Sequence, residues 1–348
     1  MNVAVVTLYN ALNYGSFLQA FSMCNFLKSK NINATLLDCS TNISKANITC
    51  NSIEMSICQK KTLNAFKKSW RLLPIKKNGG QIYDAVIIGS DEIWNIKNKY
   101  FEHWEEYFGY NVATELKIAY APSIGYTSID ELGMKEIIGI SLFDYVFPRD
   151  EETKLVAEKI RNESLETVVD PTLLMCDYWS NTVKKVKTES DYMIYYSYFN
   201  NPFLERILIN FAHSNKLRLL TFLFKREWCD STLYASPIEF VEKMQNAKYI
   251  ITNTFHGTIF ATLMNKQFLN FSLRHKTLNY LDFIGLGTSR LFTEEMDHMD
   301  FDKILKDEID YTSVWDNIER GAKKSETVLL CALNNVKKAG EHRRITSG

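Results

Sequence analysis

The first forty residues alternate between a continuous apolar run and a helical repeat. Residues 3–9 are apolar and rich in β-branched side chains, which is typical of a strand buried on both faces. Ser16 is a suitable N-cap, and apolar residues then recur at helical spacing through residues 17–27. Residues 33–38 predict a second strand. This order of strand, loop, helix and strand predicts a parallel α/β domain.

The same alternation continues along the rest of the chain. The further predicted strands are residues 84–88, 117–121, 144–147, 167–169, 192–198, 217–224, 248–252 and 267–271. The helices predicted between them are residues 151–160, 202–214, 237–246 and 258–264.

A polar stretch at residues 181–191 divides these elements into two α/β halves. We therefore predict one domain over residues 1–180, a second over 191–312, and a closing helix over 313–338 that packs back across both, with a break near Gly321 left open. Open α/β sheets bind ligands beyond the carboxyl ends of their strands. We expect the two domains to face each other across a cleft lined by these loops.

Composition excludes several classes of protein. Lys and Arg together number 41, as do Asp and Glu, so the basic excess of a dedicated nucleic-acid binder is missing. The seven cysteines form no Cys-x-x-Cys pair and the six histidines no His-x-x-x-His pair, which predicts neither a metal cluster nor a disulfide framework. Without a signal peptide pattern or an apolar run of roughly 20 residues, we expect a cytoplasmic protein.

Residues 53–80 combine many lysines with spaced apolar residues. The simpler interpretation is a solvated helix face above a core. The alternative is a basic surface over residues 60–77 that approaches anionic lipid headgroups at the inner face of the membrane, or a phosphorylated acceptor.

Four loops at predicted strand ends carry unusual side chains. Residues 10–16 precede a helix N-terminus that can hold an anion, and residues 89–95 combine acidic, hydroxyl, amide and indole groups suited to a sugar. Arg149 follows a third strand. His256, after the strand at 248–252, can serve as a general acid near neutral pH. Each loop also has a purely structural interpretation.

Taken in order, five short motifs resemble those of the polysaccharide pyruvyl transferase family over about residues 1–295. They are Asn13-Tyr14-Gly15-Ser16, Gly89-Ser90-Asp91-x-x-Trp94-Asn95, Arg149-Asp150-Glu151, Asp170-Pro171-Thr172 and Phe255-His256-Gly257-Thr258. The resemblance implies two Rossmann-like domains in a GT-B-like arrangement. It also implies transfer of pyruvate from phosphoenolpyruvate to two hydroxyls of one sugar in a bacterial capsule, exopolysaccharide or cell-wall polymer, as a cyclic ketal.

Roles for individual residues follow from the chemistry that the resemblance implies. We expect His256 and Asp91 to be catalytic. The residues expected to bind the donor are Arg149, Lys225, Arg226, Gly257, Thr258 and Arg290. The residues expected to bind a sugar or lipid-linked oligosaccharide acceptor are Asn13, Gly15, Ser16, Ser90, Trp94 and Asn95. We expect no metal and no cofactor other than phosphoenolpyruvate as co-substrate.

The chain departs from the family pattern near the predicted donor site. Thr254 occupies a position where many members have arginine, and a second arginine is missing around residues 278–279. Threonine supplies neither the charge nor the forked donors of a guanidinium. Lys225, Arg226, Arg274 or Arg290 would then have to bind the anion, or the donor is not phosphoenolpyruvate.

Two other functions remain open on the sequence. One is a GT-B-like glycosyltransferase that uses a nucleotide sugar, for which Lys225 and Arg226 would contact the diphosphate. The other is a family member without activity that binds glycan.

Overall fold

The computed structural model describes residues 1–39, 53–99, 102–182, 191–296 and 298–346, which form two compact units. The first unit contains the described residues of Met1–Asn47, Arg71–Met175 and Glu319–Gly348. The second contains those of Ile48–Trp70 and Cys176–Ile318.

Parallel strands make up the sheet of each unit. In the first unit the strands are β1 (Asn2–Val6), β2 (Asn33–Asp38), β3 (Ile75–Lys77), β4 (Ile82–Tyr83), β5 (Ala85–Ile88), β6 (Ala113–Thr114), β7 (Lys117–Tyr120) and β8 (Tyr145–Phe147). In the second they are β9 (Tyr192–Tyr196), β10 (Arg218–Phe222), β11 (Ser231–Leu233), β12 (Tyr249–Thr252) and β13 (Gln267–Asn270).

Both sheets follow the order of a doubly wound Rossmann fold. The first runs β3-β2-β1-β5-β7-β8, with β4 paired to β6 beside it, and the second runs β11-β10-β9-β12-β13. The strand order therefore reverses between β1 and β5 in one unit and between β9 and β12 in the other. Ligands of such sheets bind at the carboxyl ends of the strands on either side of this switch point.

Helices connect the strands. They are α1 (Tyr14–Ser29), α2 (Ile53–Trp70), α3 (Met134–Ser141), α4 (Glu151–Arg161), α5 (Pro171–Leu174), α6 (Cys176–Thr182), α7 (Pro202–Ser214), α8 (Pro237–Asn246), α9 (Phe255–Leu263), α10 (His275–Phe283), α11 (His298–Lys306) and α12 (Tyr311–Thr346). Each sheet core is apolar, and β5, β9 and β12 are buried along their whole length, as is typical of parallel strands with both faces covered.

Two predicted elements differ from the structure. Residues 167–169 do not form a strand. Val168 donates its backbone N–H to the carbonyl of Pro148, and this single bond does not make a strand ladder. The closing helix is longer than predicted and passes through Gly321 without a break.

The unit boundaries also differ from the predicted domains. α2 lies between β2 and β3 in the sequence, yet it belongs to the second unit and packs against α8. The helix ends at Trp70, so the basic stretch predicted over residues 60–77 is divided between the units. Lys77 lies in β3 and pairs with Asp38 at 2.8 Å.

Candidate active site

The N-terminus of α1 lies at the switch point of the first sheet. Asn13 caps this helix, because its side-chain oxygen accepts from the backbone N–H of Gly15 at 2.9 Å and of Ser16 at 3.4 Å. The predicted cap, Ser16, therefore lies inside the helix. There it is buried, and its Oγ donates to Asp91 Oδ2 at 2.7 Å.

Asp91 follows β5 on the other side of the switch point. Its Oδ1 accepts from the backbone N–H of Glu92 at 2.8 Å, so both carboxylate oxygens are held. The residue has φ 74°, in the left-handed region that asparagine and aspartate occupy more often than other side chains. This loop fixes a carboxylate at the carboxyl edge of the sheet.

A buried ion pair lies beside it. Arg149 Nη1 is 3.0 Å from Asp170 Oδ2, and the two side chains are only 3% and 0% exposed. Ser90 Oγ donates to the same oxygen at 3.0 Å, and Thr172 donates to the other one from its N–H and its Oγ. Burial lowers the pKa of Arg149, but the carboxylates around it, Asp170 and Asp91 first, outweigh burial and raise it. The guanidinium is therefore charged and its Nη1 is engaged inside the unit, while a role in donor binding stays a prediction.

Two further polar residues, Thr7 and Gln19, belong to this network and were not identified from the sequence. Gln19 Nε2 donates to Thr7 Oγ1, Leu8 O and Ser16 O at 2.8–2.9 Å, and Thr7 Oγ1 donates to Ser90 O at 3.1 Å. Thr7 and Gln19 are fully buried. Gln19 could have been recognised in the sequence as a glutamine within an otherwise apolar stretch of helix. A buried amide needs hydrogen-bond partners, so its position indicates a polar network.

Trp94 and Asn95 do not form a sugar-binding wall. Trp94 is fully buried, donates from Nε1 to the carbonyl of Tyr107 at 2.8 Å and stacks on Phe108. Asn95 is also buried and donates to Glu92 Oε2 at 2.9 Å. Both side chains hold the loop from within, so they do not form an exposed sugar-binding wall, and a contact with the acceptor stays a prediction.

In the second unit, α9 begins earlier than predicted. Thr254 is its N-cap, accepting from the N–H of Gly257 at 2.9 Å, so the helix starts at Phe255 rather than at residue 258. His256 therefore belongs to the first helical turn, directly after β12 at the switch point. Its side chain is 8% exposed and lies edge-on to the ring of Phe255.

Gly257 is required by close packing at this turn. A Cβ on Gly257 would lie 2.4 Å from the Oγ1 atoms of both Thr252 and Thr254, so no larger residue fits without displacing the cap. Thr258 is fully buried, donates to the carbonyl of Thr254 and accepts from Asn270 at 2.6 Å. These contacts give Gly257 and Thr258 a role in shaping the helix end, and Thr258 offers no side chain to a ligand.

Arg226 holds the loop that follows β9. It donates to the carbonyls of Ser197 at 2.9 Å and Phe199 at 3.2 Å and to the side chain of Asn200, and its guanidinium lies 5.0 Å from the ring centre of Tyr195. Arg226 is buried. The predicted contact with the donor is replaced by contacts within the unit.

Arg290 holds the end of α11 in the same way. Its guanidinium donates to the carbonyl of Ile304 and, at 2.8 Å, to that of Asp307. The side chain is buried, and burial lowers its pKa. Cations stabilise a helix C-terminus by bonding to its last carbonyls. Arg290 therefore caps this helix, and its part in donor binding stays a prediction.

Other cations remain accessible at the carboxyl edge of the second sheet. Lys225 follows β10, is 43% exposed on its side chain and pairs with Glu227 at 2.9 Å. Arg274 follows β13 and is half-buried, and Lys276 lies 5.7 Å from the ring centre of Phe255. With the N-terminus of α9, these groups place positive charge at the same edge as His256.

Across the part of the chain that the structure describes, no group of three or more His, Cys, Asp or Glu side chains is arranged to hold a metal ion. None of the helices within the described ranges has both the length and the apolar character of a membrane span.

Comparison with known proteins identifies a matching family and similar folds. The polysaccharide pyruvyl transferase family model matches residues 13–275. A comparison with curated proteins finds no match. The fold is similar to UDP-GlcNAc 2-epimerases. The enzyme from Rickettsia bellii aligns with a TM-score of 0.55 and 12% identity over 97% of both chains. That from Methanocaldococcus jannaschii aligns with a TM-score of 0.53 and 9% identity over 95% of this chain and 99% of the other.

A third solved structure, the Neisseria meningitidis enzyme bound to UDP-GlcNAc, aligns with a TM-score of 0.52 and 9% identity over 96% of this chain and 100% of the other. At these identities the likeness concerns the fold alone. The predicted α/β, GT-B-like fold with parallel sheets and a long C-terminal helix is confirmed.

Proposed function

The chain belongs to the polysaccharide pyruvyl transferase family, and from this premise we propose that its donor is phosphoenolpyruvate. The pyruvyl group is transferred to two hydroxyls of one sugar, in a bacterial surface polysaccharide or its lipid-linked precursor, as a cyclic ketal. The reaction needs no resident cofactor or metal.

The observation that carries the proposal is the position of His256. It lies in the first turn of α9, at the carboxyl end of β12 and beside the switch point. The amides and dipole of a helix N-terminus favour an anion at this position. An imidazole next to an anion site is suited to protonate a bound anionic substrate.

His256 in its protonated form gives its proton to C3 of phosphoenolpyruvate, which leaves an oxocarbenium-like centre at C2. The first sugar hydroxyl forms a C–O bond to C2 and loses its proton. The bond from C2 to the phosphate oxygen then breaks, phosphate departs with the electron pair, and the second hydroxyl closes the ring. One hydroxyl proton replaces the one that His256 gave, and the other leaves with phosphate.

The donor is an anion with a carboxylate and a phosphate, and both need partners. We assign them to Lys225, Arg274 and the first-turn amides of α9, because Arg226 and Arg290 are engaged with main-chain carbonyls. Thr254 supports this assignment indirectly. As the N-cap it orders the turn that carries His256, so the threonine that replaces the family's arginine has a structural task.

The acceptor hydroxyls are assigned to the carboxyl edge of the first sheet. Asp91 is held through both oxygens by Ser16 and Glu92, and the carboxylate can accept a further bond from a sugar hydroxyl on its remaining lone pairs. Ser90, Asn13 and Gly15 order the surrounding loops. Their contribution is to position Asp91.

Phosphate release from phosphoenolpyruvate in the presence of sugar acceptors tests the proposal, with the ketal methyl group followed by NMR. The expected result is phosphate release coupled to ketal formation, and neither in the His256→Ala variant. A thermal shift with phosphoenolpyruvate is measured alongside, since a ligand at about 100 times its Kd stabilises by about 2.7 kcal/mol. A shift with UDP- or GDP-sugars and none with phosphoenolpyruvate would identify a glycosyltransferase instead. Stabilisation by glycan without turnover would identify a binding protein.

A further inference from the structure

One face of α2 carries four lysines. Lys60, Lys61, Lys67 and Lys68 are all exposed, and their spacing of i, i+1, i+7 and i+8 places them on one side of a helix with 3.6 residues per turn. We name these four residues the cationic face. Asn64 lies between them on the same side and is also exposed.

The opposite side of the helix is already covered. Thr62, Phe66 and Ser69 are buried, and α2 packs against α8 within the second unit. Over residues 60–70 of α2, the buried side chains therefore belong to the core of the unit, and the cationic face is exposed to solvent.

The charge of the cationic face has no counter-charge among the described residues. No ion pair joins its lysines to any carboxylate of the described residues, and residues 55–83 contain no Asp or Glu at all. Lys61 lies 5.2 Å from the ring centre of Tyr234, a contact that keeps its charge. Lys67 and Lys68 suit the last helical turn through the dipole, but Lys60 and Lys61 lie earlier and gain nothing from it. The four exposed charges can therefore pair with an external anion.

We propose that the cationic face binds the surface of an anionic lipid membrane. A bilayer presents a broad, flat layer of negative charge, and four lysines on one exposed helix face match it without a pocket. Because the apolar side of α2 is packed inside the unit, the contact is electrostatic and does not insert into the bilayer. Under the proposed function, this would hold the enzyme where a lipid-linked acceptor is displayed.

Sedimentation with lipid vesicles tests the contact without any substrate. The full chain is mixed with vesicles of phosphatidylcholine alone or with about 30 mol% phosphatidylserine, at about 0.1 M and about 0.5 M salt. We expect binding to the anionic vesicles at low salt, with each lysine contributing about fivefold in the partition coefficient. Replacing all four lysines with glutamine should lower it by at least about 100-fold.

A matched variant controls for total charge. Lys243, Lys248, Lys303 and Lys306 are exposed lysines of the same unit outside the cationic face, and their replacement with glutamine should leave vesicle binding nearly unchanged. Equal loss in both variants, or equal binding to neutral vesicles, would overturn the proposal. So would binding to a soluble polyanion such as heparin without binding to vesicles. Because no turnover is measured, a failure here leaves the proposed pyruvyl transfer untouched.

Discussion

The carboxyl edges of the two sheets handle their buried charges differently. In the first unit, Arg149 and Asp170 neutralise each other and share a network with Ser90. In the second, Arg226 and Arg290 donate to main-chain carbonyls, so that each guanidinium secures a loop or a helix end. A motif arginine near a predicted ligand site is therefore a poor guide to ligand binding until its own partners are known.

The largest effect is expected from breaking the charge pair of the first unit. Arg149→Ala leaves Asp170 buried without its counter-ion, which should lower the free energy of unfolding by about 3–5 kcal/mol. Urea denaturation measures this loss. Lys135→Ala breaks an exposed pair with Glu105 and should change the free energy of unfolding far less, because water screens this pair. Similar values for the two variants would remove the distinction between a buried network and a surface pair.

The second effect concerns activity rather than folding. His256→Ala should keep the fold and lower turnover by about 10²-fold or more, the usual contribution of a general acid. Steady-state phosphate release measures it. His213→Ala, at an exposed histidine in the last turn of α7, serves as the control and should be silent. Turnover near that of the unsubstituted enzyme would exclude His256 as the proton donor.

The third prediction separates structural arginines from donor-binding cations in the second unit. Arg290→Met removes charge-assisted bonds to two carbonyls, so the free energy of unfolding should fall by about 2 kcal/mol. The KM for the donor should stay the same. Lys225→Met should raise the KM for the donor, because it removes a cation assigned to donor binding. The free energy of unfolding should stay nearly unchanged, because the side chain is exposed and its ion pair is weak. A raised donor KM in Arg290→Met with unchanged stability would return Arg290 to the site.

The smallest effect is expected at the cap of α9. Thr254→Ala removes the acceptor for the N–H of Gly257 and should cost about 1 kcal/mol in unfolding free energy. Thr254→Ser keeps the hydroxyl and should recover most of that loss. Thermal denaturation of the two variants side by side provides the measurement. If the two variants had the same unfolding free energy, the hydroxyl cap would not explain why threonine occupies position 254.

Much of the fold could be predicted because local signals agree with it. β2, α7 and α8 begin and end at the predicted residues, the two helices having proline in the first turn after a capping residue. The starts of α1 and α9 were placed three residues late. The sequence pattern predicts Ser16 as the N-cap of α1 and Thr258 as the first residue of α9, although Asn13 and Thr254 are equally good caps and come first.

The site was less predictable because its outcome depends on contacts far apart in sequence. The partners of Arg226 lie 26–29 residues away, and Asp170 lies 21 residues from Arg149. Trp94 has the composition of a sugar-binding residue, and only its packing against Phe108 and its bond to Tyr107 reveal a core role. Residue type and strand-end position identify which loops matter, whereas burial decides which side chains can reach a ligand.

The assignment of α2 to the second unit limits where this chain can be cut into fragments. Neither unit is one continuous segment, since the first is built from three stretches and the second from two. A fragment starting after residue 190 would lack the helix that covers α8, and one ending near residue 180 would carry that helix with its buried Phe66 stripped of its neighbours. Gene fusions, truncations and recombination between relatives must therefore keep the residues of both units together.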